Sequence, residues 1–207
     1  MAWQSHGQAR GTSRGAGAGS LLLVLLLLAA VPGVAAEAPD CTAAETLWSE
    51  TDPPLDLSHL FCGERDPRDA SLGGYHALAG ARSPGEPAIR ERYAGPNADG
   101  VSRAIVCLPE TAGTARRSCK CSSLFPDDWS VGQVVEAVLT ALRRGRTDAR
   151  GFFRGPGGSG FAVEGWLVPA AQARALCGAE RCIATAWPAY EDDRSGRALP
   201  WRCPLPR

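Results

Sequence analysis

Apolar positions recur at helical spacing most clearly at Val131, Val134, Val135, Val138, Leu139 and Leu142. Ser130 with Gln133 three residues on makes a capping box ahead of this run. Arg143 and Arg144 fall in the last turn, where cations suit the helix dipole, and Gly145 follows as a stop. The pattern predicts a helix over 131–144. Elsewhere the apolar runs are short and strand-like. Val101 to Leu108 has the apolar centre "AIVCL", Phe161 to Val168 alternates, and Cys182 to Pro188 reads "CIATAWP". In the last of these a period of two puts Ile183, Thr185 and Trp187 on one face and Ala184 and Ala186 on the other. Pro84 to Gly100 is rich in Pro, Gly, Ala and Asn and reads as a long loop. "PETAGTARRS" and "GPGGSGF" read as turns. One long helix with scattered strands and no internal repeat predicts an α+β domain.

The longest apolar run is of another kind. Leu21 to Val31 is unbroken over eleven residues, preceded by Arg10 and Arg14 and followed by Pro32-Gly33 and the small-residue site Val34-Ala35-Ala36. That is the layout of a secretory signal peptide over 1–36, cleaved after Ala36. Eleven residues are too few to span a bilayer, which needs about 20. The chain is then read as a lead-in segment, 37–56, and a domain, 57–207, long enough for one proper core. All eight cysteines lie beyond the leader: Cys41, Cys62, Cys107, Cys119, Cys121, Cys177, Cys182 and Cys203. An even number in an exported chain reads as four disulfides, whereas Cys119-x-Cys121 and Cys177-x4-Cys182 do not match the paired spacing of a structural zinc site. Only Cys177 with Cys182, closing a short turn, suggests a particular pair. The expected location is secreted or periplasmic.

Charge adds little globally. The 22 basic and 22 acidic residues cancel, so no net field steers the molecule to a polyanion, and any such binding is local. Arg143, Arg144, Arg146, Arg150 and Arg154 face a single acid, Asp148, in the stretch after the helix. This is either a solvated surface or a phosphate-contacting patch beside a site. Trp48, Trp129, Trp166 and Trp201 are assigned to core packing.

Scarcity marks the candidate chemistry. Beyond the leader the chain has two histidines, His59 and His76, and one lysine, Lys120, among many arginines. If "SCKCS" is extended, Cys119 and Cys121 point one way and Lys120 the other. Two disulfides can then hold the strand from behind while the ammonium projects into a cleft. Two imidazoles and an ammonium suit phosphodiester transesterification. One imidazole takes the proton of a ribose 2′-hydroxyl, the other protonates the departing 5′-oxygen, and the ammonium stabilises charge on the phosphorane. No metal is required, because the nucleophile is already in the substrate. Other readings exist for each residue. His59 alone could be a core or turn histidine. His76 follows Gly73-Gly74, which permits close backbone approach to a ligand. A zinc site from His59, Glu64 and His76 matches no common ligand spacing, and a Cys–His nucleophile needs a free thiol. Thr185 and Trp187 face either core or substrate.

The segments "HLFCGE…GGYH", "KCSSLFPDDWS" leading into the helix, "GSGFAVEGWLV" and "IATAWP" together resemble the EndoU-type endoribonucleases, particularly the bacterial branch, over roughly residues 57–190. The resemblance implies an RNase A-like, EndoU-type α+β nuclease fold and cleavage of RNA, often 3′ of uridine, leaving a 2′,3′-cyclic phosphate. It implies His59, His76 and Lys120 as the catalytic set. The family's Thr-x-Tyr segment maps onto Thr185 and, with a change, Trp187; an indole can stack on a base but lacks the tyrosine hydroxyl. Ser159, in the glycine-rich turn, joins these two as a substrate-binding candidate. Some relatives respond to manganese, but no carboxylate cluster here provides for it, so no cofactor is expected. The expected ligand is RNA, the expected state a monomer without stable membrane association after leader cleavage, and an inhibitor or immunity protein is a compatible partner. The readings from other classes are a catalytically silent RNA- or partner-binding domain on the same scaffold, and a disulfide-rich secreted protein with structural histidines.

Overall fold

Residues 39–43, 45–78, 87–109, 118–191 and 203–204 are described by the computed structural model. The expected leader and its cleavage site, and Trp201, lie outside them. Helix α1 spans Val131–Arg144 with both halves of the Ser130–Gln133 capping box formed. Its apolar stripe, including Val134, Val138 and Ala141, is buried against one face of an antiparallel sheet. That sheet has the order β6 (Arg146–Thr147), β7 (Phe152–Pro156), β8 (Ala162–Leu167) and β9 (Ile183–Pro188). Phe153, Val163 and Ala186 supply the sheet's side of the core, joined by Leu55, Leu60, Phe125 and Ile183. Gly145 and Gly155 let the end of α1 lie directly on β7, since a Cβ at either would overlap the Ala141 carbonyl oxygen. A second antiparallel sheet has the order β3 (Ala88–Ala94), β4 (Ser102–Cys107) and β5 (Cys119–Leu124). The sheets meet where Ser123 of β5 donates to the Pro188 carbonyl of β9 at 2.6 Å. The expected α+β class holds, and the sheets are antiparallel.

Three sequence expectations change. Within the expected 84–100 loop lies β3. It pairs with β4 through register shifts between Ile89 and Glu91 and between Arg92 and Ala94. Two bulges on an edge strand break the period of two and leave no continuous apolar side to detect. A second helix, α2 (Ala170–Cys177), accompanies the expected one; it buries only Ala173 and so shows almost no apolar stripe. In β9, Thr185 pairs with Trp166 but Ile183 pairs with Leu167, one step on β8 against two on β9. The extra residue, Ala184, reverses the alternation. Ile183 therefore joins Ala186 in the core, and Thr185 and Trp187 share the opposite face without it.

All eight cysteines pair, as Cys41–Cys62, Cys107–Cys119, Cys121–Cys203 and Cys177–Cys182. The short Cys177–Cys182 pair matches the sequence reading. Four disulfides indicate an oxidising, extracytoplasmic compartment. Among the described residues no helix is long and apolar enough to cross a membrane. Residues of the expected lead-in segment are stitched to the rest: Leu55 is fully buried and the Asp56 amide donates to the Ile183 carbonyl at 3.0 Å.

Candidate active site

His59 sits in a single π-helical turn, Ser58–Cys62, closed on one side by Cys41–Cys62. Its amide donates to Asp56 Oδ1 at 2.8 Å. Its ring Nδ1 lies 2.6 Å from Glu64 Oε1. Glu64 stands on β1 (Glu64–Arg65), which pairs with β2 (Leu72–Gly73) in a short antiparallel ribbon. The hydrogen bond from His59 holds the Glu64 carboxyl below its usual range, while burial pushes that of Asp56 up. An ionised Glu64 can only accept, so His59 Nδ1 carries a proton and Nε2 is the nitrogen left for chemistry.

The ribbon's return strand delivers His76. Tyr75 N donates to the His59 carbonyl at 2.8 Å and His76 N to the Leu60 carbonyl at 2.7 Å. Gly74, at φ 66°, makes this approach feasible, because a Cβ there would overlap the His59 carbonyl. The glycine thus serves contact between the two histidine-bearing backbones, where the sequence suggested contact with a ligand. His76 Nδ1 lies 3.1 Å from the Ser123 carbonyl and 3.0 Å from Ser122 Oγ, whose own proton goes to the Tyr75 carbonyl. Both acceptors require a proton on Nδ1, so here too Nε2 is free. The imidazole centroids are 6.4 Å apart.

Lys120 comes from β5, between the two bridged cysteines Cys119 and Cys121. It stands across from Val106, on the strand face opposite the disulfides. The bracing expected from the sequence is therefore present. Burial lowers its ammonium from 10.5 to about 8, and among the described residues it has no carboxylate partner. Burial, then the positive charge of Lys120, then His59, hold His76 well below the usual histidine range. Lys120 therefore lies within electrostatic reach of His76. His76 is only 9% exposed, more recessed than an open groove implies, yet its surroundings are polar: Ser122, Ser123, Lys120 and His59.

Trp187 reaches the site from β9. Its ring centroid is 5.9 Å from that of His76, and its Nε1 donates to Glu164 Oε2 at 2.9 Å. Thr185 lies two residues back on the same face, and its Oγ1 is buried without a hydrogen-bond partner. The chain thus brings together His59, His76, Lys120 and Trp187, with Thr185 alongside. Ser159 is exposed at the β7–β8 turn, and none of the contacts just described includes it. Glu64, Ser122 and Ser123, which set the tautomers, did not stand out in the sequence as site residues. Glu64 entered only as a metal-ligand option, and among the described residues no group of three or more His, Cys, Asp or Glu is placed to hold a metal.

A family model for bacterial EndoU nucleases matches residues 56–190. The chain belongs to the bacterial EndoU nuclease family. No curated protein and no solved structure matches it. The match begins at Asp56, the residue that accepts from the His59 amide, and runs to Tyr190 just past β9, so it spans both histidines, Lys120, Thr185 and Trp187. Membership in the EndoU nucleases implies endoribonuclease activity and an RNA substrate.

Proposed function

We propose that this EndoU nuclease is an exported endoribonuclease that cleaves single-stranded RNA 3′ of uridines by metal-independent transesterification. The observation that carries the reading is the matched tethering of the two imidazoles. Each Nδ1 is held by the protein, so each Nε2 can address one phosphodiester, with Lys120 beside them. His76, neutral at pH 7, is the base. Its Nε2 takes the 2′-hydroxyl proton as O2′ bonds to phosphorus. The P–O5′ bond breaks, and His59, in the role of acid, gives a proton from Nε2 to O5′ while Glu64 holds its Nδ1. The products are a 2′,3′-cyclic phosphate and a 5′-hydroxyl. Lys120 offsets the extra negative charge on the phosphorane, and the substrate phosphate itself favours protonation of His76 once bound. The buried, unpartnered Thr185 hydroxyl costs about 1–3 kcal/mol; a χ1 rotation that hydrogen-bonds it to the base or phosphate would recover this. Trp187 stacks on the base. The working unit is the 57–207 domain with the lead-in residues joined to it through Cys41, Leu55 and Asp56, as a monomer.

The purified, oxidised protein incubated with uridine-containing RNA and EDTA should yield fragments ending in 2′,3′-cyclic phosphate. RNA bound but uncleaved would instead favour a silent binding domain on this scaffold.

Lys120 makes the alkaline limb of the pH profile specific. Its ammonium is charged below about 8 and neutral above, so on a substrate whose leaving group departs without a proton, where His59 is not needed as acid, kcat/KM should fall as pH rises through that value. Lys120→Arg keeps a cation at all accessible pH values. In this variant the limb should move up by more than about one pH unit, even though the wider guanidinium lowers the overall rate. A limb unchanged in Lys120→Arg would remove Lys120 from this role.

A further inference from the structure

The four-stranded sheet has a second face, and α1 does not cover it. Phe153, Val163 and Ala186 point to α1 and the core; their neighbours point the other way. The cross-strand registers order those neighbours in two rows. One runs Arg146, Arg154, Glu164, Trp187, and the next runs Phe152, Trp166, Thr185. Trp166 was expected in the core, but it stands half-buried on this outer face. Its ring lies 5.1 Å from that of Phe152, which in turn lies 6.4 Å from that of Trp187. Trp187 is also the residue beside His76. The aromatic surface is therefore continuous with the site.

Its polar surroundings suit a nucleic acid strand. Glu164 accepts from both the Trp187 indole and the Arg154 guanidinium, which fixes the indole by its edge and leaves its faces for stacking. Arg150 lies over Trp166, 5.9 Å from the ring centroid. It is 80% exposed and pairs with Asp148 at 3.3 Å, so it can turn to a phosphate at little cost. Arg146 is exposed and has no acidic partner among the described residues. Aromatic faces interleaved with loosely held arginines are what sequence-tolerant binding of single strands uses.

We propose that this outer face is an extended subsite for single-stranded RNA, in which bases flanking the scissile uridine stack on Phe152 and Trp166 and their phosphates meet Arg150 and Arg146. It deepens the endoribonuclease reading and rests on it for the strand's entry point at Trp187. It also resolves the two views of the arginine-rich segment: Arg150 and Arg146 serve the substrate, whereas Arg143 and Arg154 are held by Glu136 and by Glu164 with Glu191.

Two measurements test it. The first is binding, with a nine-nucleotide RNA that carries one 2′-deoxyuridine, so that it cannot be cleaved, and 2-aminopurine at flanking positions. Wild type should quench the fluorescence saturably. Phe152→Ala and Trp166→Ala should each weaken binding roughly tenfold, the scale of one lost base stack. Arg150→Ala, a surface change that cannot perturb the core, should flatten the salt dependence by about 0.7 in log–log slope. The second is the ratio of kcat/KM for a uridine-containing nonamer over a dinucleotide. It should exceed ten in wild type and fall several-fold in each variant. Equal values for the two lengths, or binding without quenching, would overturn the subsite and reduce the aromatic cluster to sheet packing. If wild type cleaves neither substrate, the endoribonuclease reading fails, while the binding titration still decides the subsite.

Discussion

Replacing His76 with alanine should lower kcat on a uridine-containing RNA by about 10²–10⁴-fold, the usual contribution of one positioned proton-transfer group. His59→Ala should do the same, and the double variant should lose little more than either single one, because residues that act as a unit are non-additive. The two can be told apart. His59, as acid, is needed only while the leaving oxygen is basic. Uridine 3′-(4-nitrophenyl phosphate), whose leaving group departs without a proton, should restore most of the rate to His59→Ala and none to His76→Ala. The structural basis is the difference in environment. His76 is recessed beside Lys120 and kept neutral, whereas His59 faces the Glu64 carboxylate. Rescue in the opposite variant would exchange the roles, and full activity in His76→Ala would end the mechanism. Burial of His76 makes folding a concern there, so the variant's melting curve belongs with the kinetics; His76→Gln, which preserves volume, is the companion.

Gly74→Ala should be the most damaging small substitution in the domain. Two effects add. The residue adopts φ 66°, which costs a non-glycine roughly 1–2 kcal/mol, and its Cβ would overlap the carbonyl that receives the Tyr75 amide. Relief requires parting the His59 and His76 backbones, so the expected loss exceeds about 3 kcal/mol, together with most of the activity. Gly178→Ala separates the two effects, since φ there is 76° and nothing lies within 4 Å of the added carbon. It should cost only the conformational part. Similar shifts in the urea midpoint for the two variants would show that the histidine-to-histidine contact is not tight.

What could be read from the chain follows from how local each feature is. The α1 helix carries its periodicity and its cap within fifteen residues, and the three apolar strands carry theirs, so both were legible. The proposed trio of His59, His76 and Lys120 stood out for a different reason, scarcity reinforced by family resemblance. Three features were not, and each depends on partners distant in sequence. A bulge at Ala184 exists only in the pairing with β8. β3 is a strand only because β4 pairs with it. The recess around His76 is built by Ser122 and Ser123, 46 and 47 residues away. Trp166 was misassigned because tryptophan alone does not say which face of a strand it occupies.

The Cys121–Cys203 bridge closes a separation of 82 residues, and in a reduced chain that constraint, on the order of 4 kcal/mol, is missing, as is the Cys107–Cys119 bridge next to it. Both brace the strand that carries the single ammonium. The strand that carries Lys120 thus has its full bracing only where thiols are oxidised. A freshly synthesised chain in a reducing compartment would lack that brace, which ties the molecule's stability to the redox state of its surroundings.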